Sequence, residues 1–195
     1  LWDISRTFPY HTKNKSARPV DAFVSPIPTV YDYNVNEQWH QVTFFNPDKK
    51  MGKKIGINIS GDRVYGSLAL DRKKEYYVYD FWNNSFIGKL NGNVRLEQNL
   101  RPGEARMMSV REVFDYPQVI STDRHIMQGY LDISRLSWES STKTLMGTSK
   151  IVGGDPYVIC IATNGYHGLQ SSSESSEPKV SFVNESGGLL YLKIE

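Results

Sequence analysis

Apolar and polar residues alternate along most of this chain with a period of two. Ile55, Ile57 and Ile59 are separated by Gly56, Asn58 and Ser60, as in a strand with one buried and one wet face. Runs of the same kind predict strands over 41–45, 76–82, 105–111, 126–133, 144–152, 157–162, 179–183 and 189–194. Turn-forming clusters separate them: Asn46-Pro47-Asp48, Ser60-Gly61-Asp62, Asn91-Gly92-Asn93, Arg101-Pro102-Gly103, Gly153-Gly154-Asp155-Pro156 and Gly187-Gly188. A helical period is nowhere sustained beyond two turns; Ser67-Leu68-Ala69-Leu70 predicts one turn at most. Many short strands without βαβ alternation predict an all-β fold, an antiparallel two-sheet, Greek-key-like β-sandwich with little or no helix. The expected organisation is an arm or linker over 1–19 and a sandwich domain over 20–195, with 171–178 as a polar loop near the end.

One run breaks the rule of one polar face. In 76–82, Tyr76, Val78 and Trp82 fall on one side and Tyr77, Tyr79 and Phe81 on the other. A lone sandwich covers only one face of a strand, so this pattern predicts a second cover. Tyr76, Tyr77, Tyr79 and Phe81 are therefore the expected interdomain surface.

Composition narrows the classes of function. The 195 residues carry 23 Lys+Arg and 21 Asp+Glu, a net charge of +2 with the signs mixed, which gives no basic footprint for nucleic acid. No apolar stretch approaches the roughly 18 residues a membrane-spanning helix needs, so no membrane insertion is expected. The single Cys160 lies in the apolar run Tyr157-Val158-Ile159-Cys160-Ile161-Ala162 and reads as a core residue. His11, His40, His125 and His167 show no metal-binding spacing, and the motifs of nucleotide, phosphate, zinc-protease and serine-hydrolase sites are missing. The expectation is no metal, no cofactor and no catalytic residue in this chain.

Sugar binding on a sheet needs exposed aromatic faces beside hydrogen-bonding side chains. Trp39, Trp82 and Trp138, near Asn83, Asn84 and Glu139, have that composition. The most distinctive segment is 117–129, where a polar corner of Asp123, Arg124 and His125 sits between apolar stretches. It reads either as a sugar-binding corner or as a strand crossover held by its own side chains, with Asp123 and Arg124 paired at the surface. The candidate sugar-binding residues are Trp82, Asn83, Arg124, His125 and Trp138. His125 is expected to be structural.

The run Tyr77-Val78-Tyr79-Asp80-Phe81-Trp82, then Phe86-Ile87-Gly88, then Leu100-Arg101-Pro102-Gly103-Glu104-Ala105-Arg106 resembles the C-terminal β-sandwich of α-galactosidase-like glycoside hydrolases. The segments 116–129 and 152–157, with Leu136-Ser137-Trp138 and Leu145-Met146-Gly147, continue the resemblance in order. Arg18-Pro19-Val20-Asp21-Ala22-Phe23 is similar to the link leaving the barrel, and 38–46 to the first sandwich strand. The likeness spans roughly residues 18–165. It implies a non-catalytic domain that caps a (β/α)8 barrel of the same polypeptide, with the catalytic aspartates in that barrel. The chain opens at Leu1 without a charged and apolar leader and reads as a piece of a longer protein. The compartment stays open, with an exported, periplasmic or cell-surface parent compatible with it. The alternative is a carbohydrate-binding module working alone, with an oligosaccharide as partner.

Overall fold

A computed structural model describes residues 15–167 and 179–195, together with Thr7. Strands are the dominant regular structure of the described residues, and every named strand pairing is antiparallel. They group into two compact units, which part between Val113 and Phe114.

The first unit holds β1 (Arg18–Pro19), β2 (Val30–Asn36), β3 (Trp39–Phe45), β4 (Lys53–Asn58), β5 (Glu75–Asp80), β6 (Ser85–Asn91), β7 (Arg95–Leu100) and β8 (Ala105–Glu112). Six of these form a sheet in the order β1-β2-β3-β8-β5-β6, and β4 pairs with β7. The period of two does the packing. Ile55 and Ile57 of β4 and Leu96 and Leu100 of β7 meet Val30, Val42, Phe44, Tyr76, Val78, Met108 and Val110 of the six-stranded sheet. This core is the sandwich that the alternation predicts. Leu68 and Leu70 join it by alternation as well, with Ser67 bridged to Asn58. The single helical turn expected at 67–70 does not form: Ala69 takes a left-handed φ of +57°, and the Leu68 and Leu70 N–H groups bond to the Asn58 and Ile59 carbonyls, while a turn of 3₁₀ helix forms just before, at Arg63–Tyr65.

The second unit holds β9 (Gln118–Thr122), β10 (Ile133–Glu139), β11 (Thr144–Ser149), β12 (Tyr157–Ala162), β13 (Val180–Ser186) and β14 (Leu189–Ile194). The sheet order is β13-β14-β12-β9, with a separate β10–β11 hairpin. Val119, Tyr157, Ile159 and Ile194 form its core, against which Ile133 and Leu145 of the hairpin pack.

The strand expected over 126–133 does not form. Gln128 and Gly129 take φ of +48° and +105°, a left-handed pair that no strand accommodates. The stretch instead makes turns, with Gln128 N–H donating to the His125 carbonyl and Tyr130 N–H to that of Met127.

Strand β5 shows how its two aromatic faces are used. Tyr76 and Val78 enter the sandwich core. Tyr77 and Tyr79 leave the sheet on the other side, in register with Arg111 and Ser109 of β8, which in turn face Trp39 and Gln41 of β3. That side is buried as well: Tyr77, Tyr79, Gln41, Ser109 and Arg111 are all buried, the Arg111 guanidinium lies 3.6 Å from the Trp39 ring centroid, and the Tyr77 ring meets that of Phe86. Of the four residues expected to present an interdomain surface, Tyr76, Tyr77 and Tyr79 are buried and Phe81 is half-buried.

Candidate functional site

The sequence-predicted site residues fall into three places. Trp82 and Asn83 occupy the β5–β6 turn of the first unit, whereas Arg124, His125 and Trp138 belong to the second.

At the β5–β6 turn, buried Asp80 accepts from Asn83 Nδ2 at 2.5 Å and from its backbone N–H at 3.3 Å. Arg106 lies 3.5 Å from the same carboxylate. Asn84 takes a left-handed φ of +45° and accepts the Tyr79 hydroxyl. These bonds close the hairpin and leave the Trp82 ring half exposed at its tip, edge-on to Phe81 at 5.1 Å. Asn83 is thus committed to the turn.

The corner after β9 is an ion-pair network. Asp123 extends the β9–β12 ladder: its N–H donates to the Val158 carbonyl, and its carboxylate accepts the Val158 N–H at 2.8 Å. Arg124 points elsewhere and is buried. Its Nε and Nη2 donate to Asp155 Oδ2 at 3.1 and 3.0 Å, Nη2 also reaches the Asp155 carbonyl, and Nη1 donates to the Lys150 carbonyl at 2.7 Å. The guanidinium carbon lies 4.6 Å from the Tyr157 ring centroid. The expected surface pair of Asp123 and Arg124 is therefore replaced by a buried pair of Arg124 with Asp155.

His125 Nε2 stands 2.9 Å from Asp132 Oδ1, a close approach that is not aligned as a hydrogen bond. Asp132 is buried, and its other oxygen accepts the Thr122 hydroxyl at 2.7 Å. Burial raises the Tyr157 phenol well above the ordinary tyrosine range, and the Asp132 charge adds to the effect while Arg124 opposes it. His125→Ala should cost about 1–3 kcal/mol, because Asp132 then loses its neighbour in a buried setting. Chemical denaturation followed by tryptophan fluorescence measures this. An unchanged midpoint with loss of a sugar affinity would make His125 a binding residue instead.

Trp138 on β10 sits in an aromatic array. Tyr116 stacks on it at 5.6 Å with planes 6° apart, Phe114 stacks on Tyr116 at 5.1 Å, and Tyr166 meets Trp138 edge-on at 5.3 Å. These rings are half-buried and spend their faces on one another. A groove of about 410 Å³ lies near Asp155, lined by Ile151, Val152, Gly153, Gly154, Lys179 and Ile194 among others. The Asp155 carboxylate there already serves Arg124.

One constellation had no sequence signal. Asp32 and His40 stand on the paired strands β2 and β3, two residues off register, since Asp32 faces Val42 and Asn34 faces His40. That diagonal is within reach of long side chains. His40 Nδ1 lies 2.8 Å from Asp32 Oδ1, Asn34 Nδ2 lies 3.3 Å from His40 Nε2, and Arg18 donates to Asp32 Oδ2 at 3.1 Å. In the arrangement in which Asn34 donates to Nε2, Nδ1–H donates to the Asp32 carboxylate. Asp32 and His40 are both buried, so the group serves to fasten β1, β2 and β3 together.

No protein-family model matches the chain, and no curated protein matches its sequence. Several solved structures align with part of it, among them the following two. One is a Bacillus halodurans protein assigned as an alpha-N-acetylgalactosaminidase, at 15% identity and a TM-score of 0.34, over 42% of this chain and 18% of that one. The other is alpha-galactosidase I from Mortierella vinacea, at 14% identity and a TM-score of 0.34, over 42% of this chain and 20% of that one. Both structural neighbours are glycoside hydrolases by name. The aligned region is about a fifth of either enzyme's length, and a likeness this partial carries no argument about activity or substrate.

Proposed function

We propose that this chain is a non-catalytic β-sandwich region of a glycoside hydrolase, steadying a catalytic (β/α)8 barrel in the same polypeptide. The observation that carries this reading is the buried pair of Arg124 and Asp155. The segments 116–129 and 152–157 both belong to the ordered run of motifs that resembles the α-galactosidase-like sandwich, and the pair joining them lies 31 residues apart in sequence. Here a fully buried guanidinium from one segment is chelated by the carboxylate and the carbonyl of the other. Asp123 and Asp132 are likewise engaged in bonds that hold strands and turns, which supports a structural use of the acidic corner. With its polar groups turned inward, the corner is suited to being a rigid platform.

The test is direct. Aryl α- and β-galactosides at saturating concentration should be released by this chain only at the buffer rate, while the native polypeptide carrying the upstream barrel should turn them over. Turnover by the chain alone that survives repurification and vanishes on replacing one Asp or Glu would overturn the reading. So would a native reading frame with no barrel upstream.

A further inference from the structure

Three side chains of the second unit each hold a buried oxygen without a hydrogen-bond partner among the described residues: Oδ1 of Asp132, the hydroxyl of Tyr157 and the hydroxyl of Ser149. Asp132 is 2% exposed and Tyr157 1%. A buried polar atom left unpaired costs as much as a made hydrogen bond gains, or more, and folded proteins carry few of them. Three in one layer call for a common cause.

Strand register brings the three residues into that layer. Thr122 of β9 faces Ile159 of β12, and Tyr157 stands two residues along β12 from Ile159, so Thr122 and Tyr157 leave the sheet on the same side. The Thr122 hydroxyl donates to Asp132 Oδ2 at 2.7 Å, which sets the Asp132 carboxylate over that face. The β10–β11 hairpin closes over it. Lys150 N–H donates to the Asp132 carbonyl at 2.9 Å, Ser149 pairs with Ile133, and Ile133 packs on the core that includes Tyr157. Arg124 ties the same parts together, with Nη1 on the Lys150 carbonyl at 2.7 Å and its guanidinium carbon 4.6 Å from the Tyr157 ring centroid. Burial, and after it the Asp132 charge, raises the Tyr157 phenol above the ordinary tyrosine range, so the hydroxyl keeps its proton.

Donor and acceptor roles define what fits among these atoms. Asp132 Oδ1 only accepts, so an occupant must donate to it. His125 Nε2 approaches the same oxygen at 2.9 Å but off the hydrogen-bond line, which leaves Oδ1 able to accept elsewhere. The Tyr157 and Ser149 hydroxyls each donate once and also accept. A molecule with two hydrogens and two lone pairs satisfies all three. An anion is repelled by Asp132. A cation is disfavoured by the Arg124 charge beside the Tyr157 ring, and no group of three or more His, Cys, Asp or Glu suited to a metal occurs among the described residues.

We propose that Asp132, Ser149 and Tyr157 form an internal binding site for one water molecule, which joins the β10–β11 hairpin to the face of β9 and β12. The water donates to Asp132 Oδ1 and accepts the Tyr157 hydroxyl, a bond that these two groups do not make directly. Its second hydrogen goes to Ser149 Oγ. Three bonds of this kind are the usual complement of an internal water, and the bridge fixes the hairpin that carries Trp138 on the sheet.

A crystal structure of this chain should show a water oxygen about 2.6–3.2 Å from both Asp132 Oδ1 and the Tyr157 hydroxyl. Tyr157→Phe should raise the unfolding equilibrium constant about fivefold, the worth of one net hydrogen bond. Ser149→Ala should raise it less, and the double variant should fall short of the product of the two effects, because both release the same water. A Tyr157→Phe variant as stable as the wild type, or more so, would mean that the hydroxyl is bonded to nothing, and would overturn the site. Effects of the two substitutions that multiply independently would overturn it as well. So would direct contact of the Tyr157 hydroxyl with the Asp132 carboxylate in the crystal structure. If sodium or potassium chloride in place of choline chloride raises the melting midpoint of the wild type but not of Tyr157→Phe, the occupant is a cation and the proposal fails.

Discussion

Arg124→Ala should destabilise the protein by about 3–5 kcal/mol, the usual cost of removing one partner of a buried ion pair. Arg124 is 2% exposed and Asp155 13%, so the orphaned carboxylate regains only part of its hydration. Two carbonyls, of Lys150 and Asp155, lose their donor as well. Arg124→Lys should recover less than half of the loss, because an ammonium on a flexible stem cannot reproduce the fork that spans Asp155 and Lys150. The paired change Arg124→Met with Asp155→Leu should lie closer to wild type than Arg124→Ala does, since it leaves no buried charge behind. Urea midpoints at constant slope measure all three. A loss under about 0.5 kcal/mol for Arg124→Ala would show that the pair does not hold the corner.

The second large effect is expected at Asp32. Asp32→Ala takes the acceptor from a buried imidazole and the counter-charge from Arg18, and should cost about 3 kcal/mol. Asp32→Asn keeps an acceptor for His40 Nδ1–H and should cost roughly half as much. Once Asp32 is Ala, removing His40 as well should add less than removing it from the wild type, with a coupling of about 1 kcal/mol or more between the two sites. Additive losses would mean that His40 and Asp32 are merely neighbours. The sequence shows Asp32 and His40 as eight unremarkable positions apart; the β2–β3 register makes them partners.

Much of the strand pattern was legible before any coordinates. The runs 157–162 and 189–194 coincide with β12 and β14, and 105–111 with nearly all of β8, because the burial of alternate side chains is written directly in their order. Other strands left a weaker trace. In β7 the alternation Leu96, Gln98, Leu100 places a glutamine on the buried side, where its amide oxygen accepts Arg106 at 3.4 Å. The stretch 126–133 failed in the opposite sense: its apolar residues suggest a strand, while two left-handed residues turn the chain. The break between units at Val113 and Phe114 also has no signature in composition. Val113 N–H bonds back to the Glu75 carbonyl and Phe114 N–H forward to Gln118 Oε1, with neither glycine nor serine between them.

The site residues divide along the same line. That 117–129 forms a corner of charged side chains was evident from its residues, as was the apolar setting of Cys160, which is indeed buried. Which carboxylate each cation would find was not. Arg124 passes over its neighbour Asp123 for Asp155, and His125 faces Asp132, because the tertiary fold brings these partners in from distant parts of the chain. By itself the sequence determined the all-β class and most strand positions, since both follow from local alternation and turn chemistry. Tertiary structure alone decided strand order, register and the pairing of buried charges, since these depend on residues far apart along the chain being brought face to face.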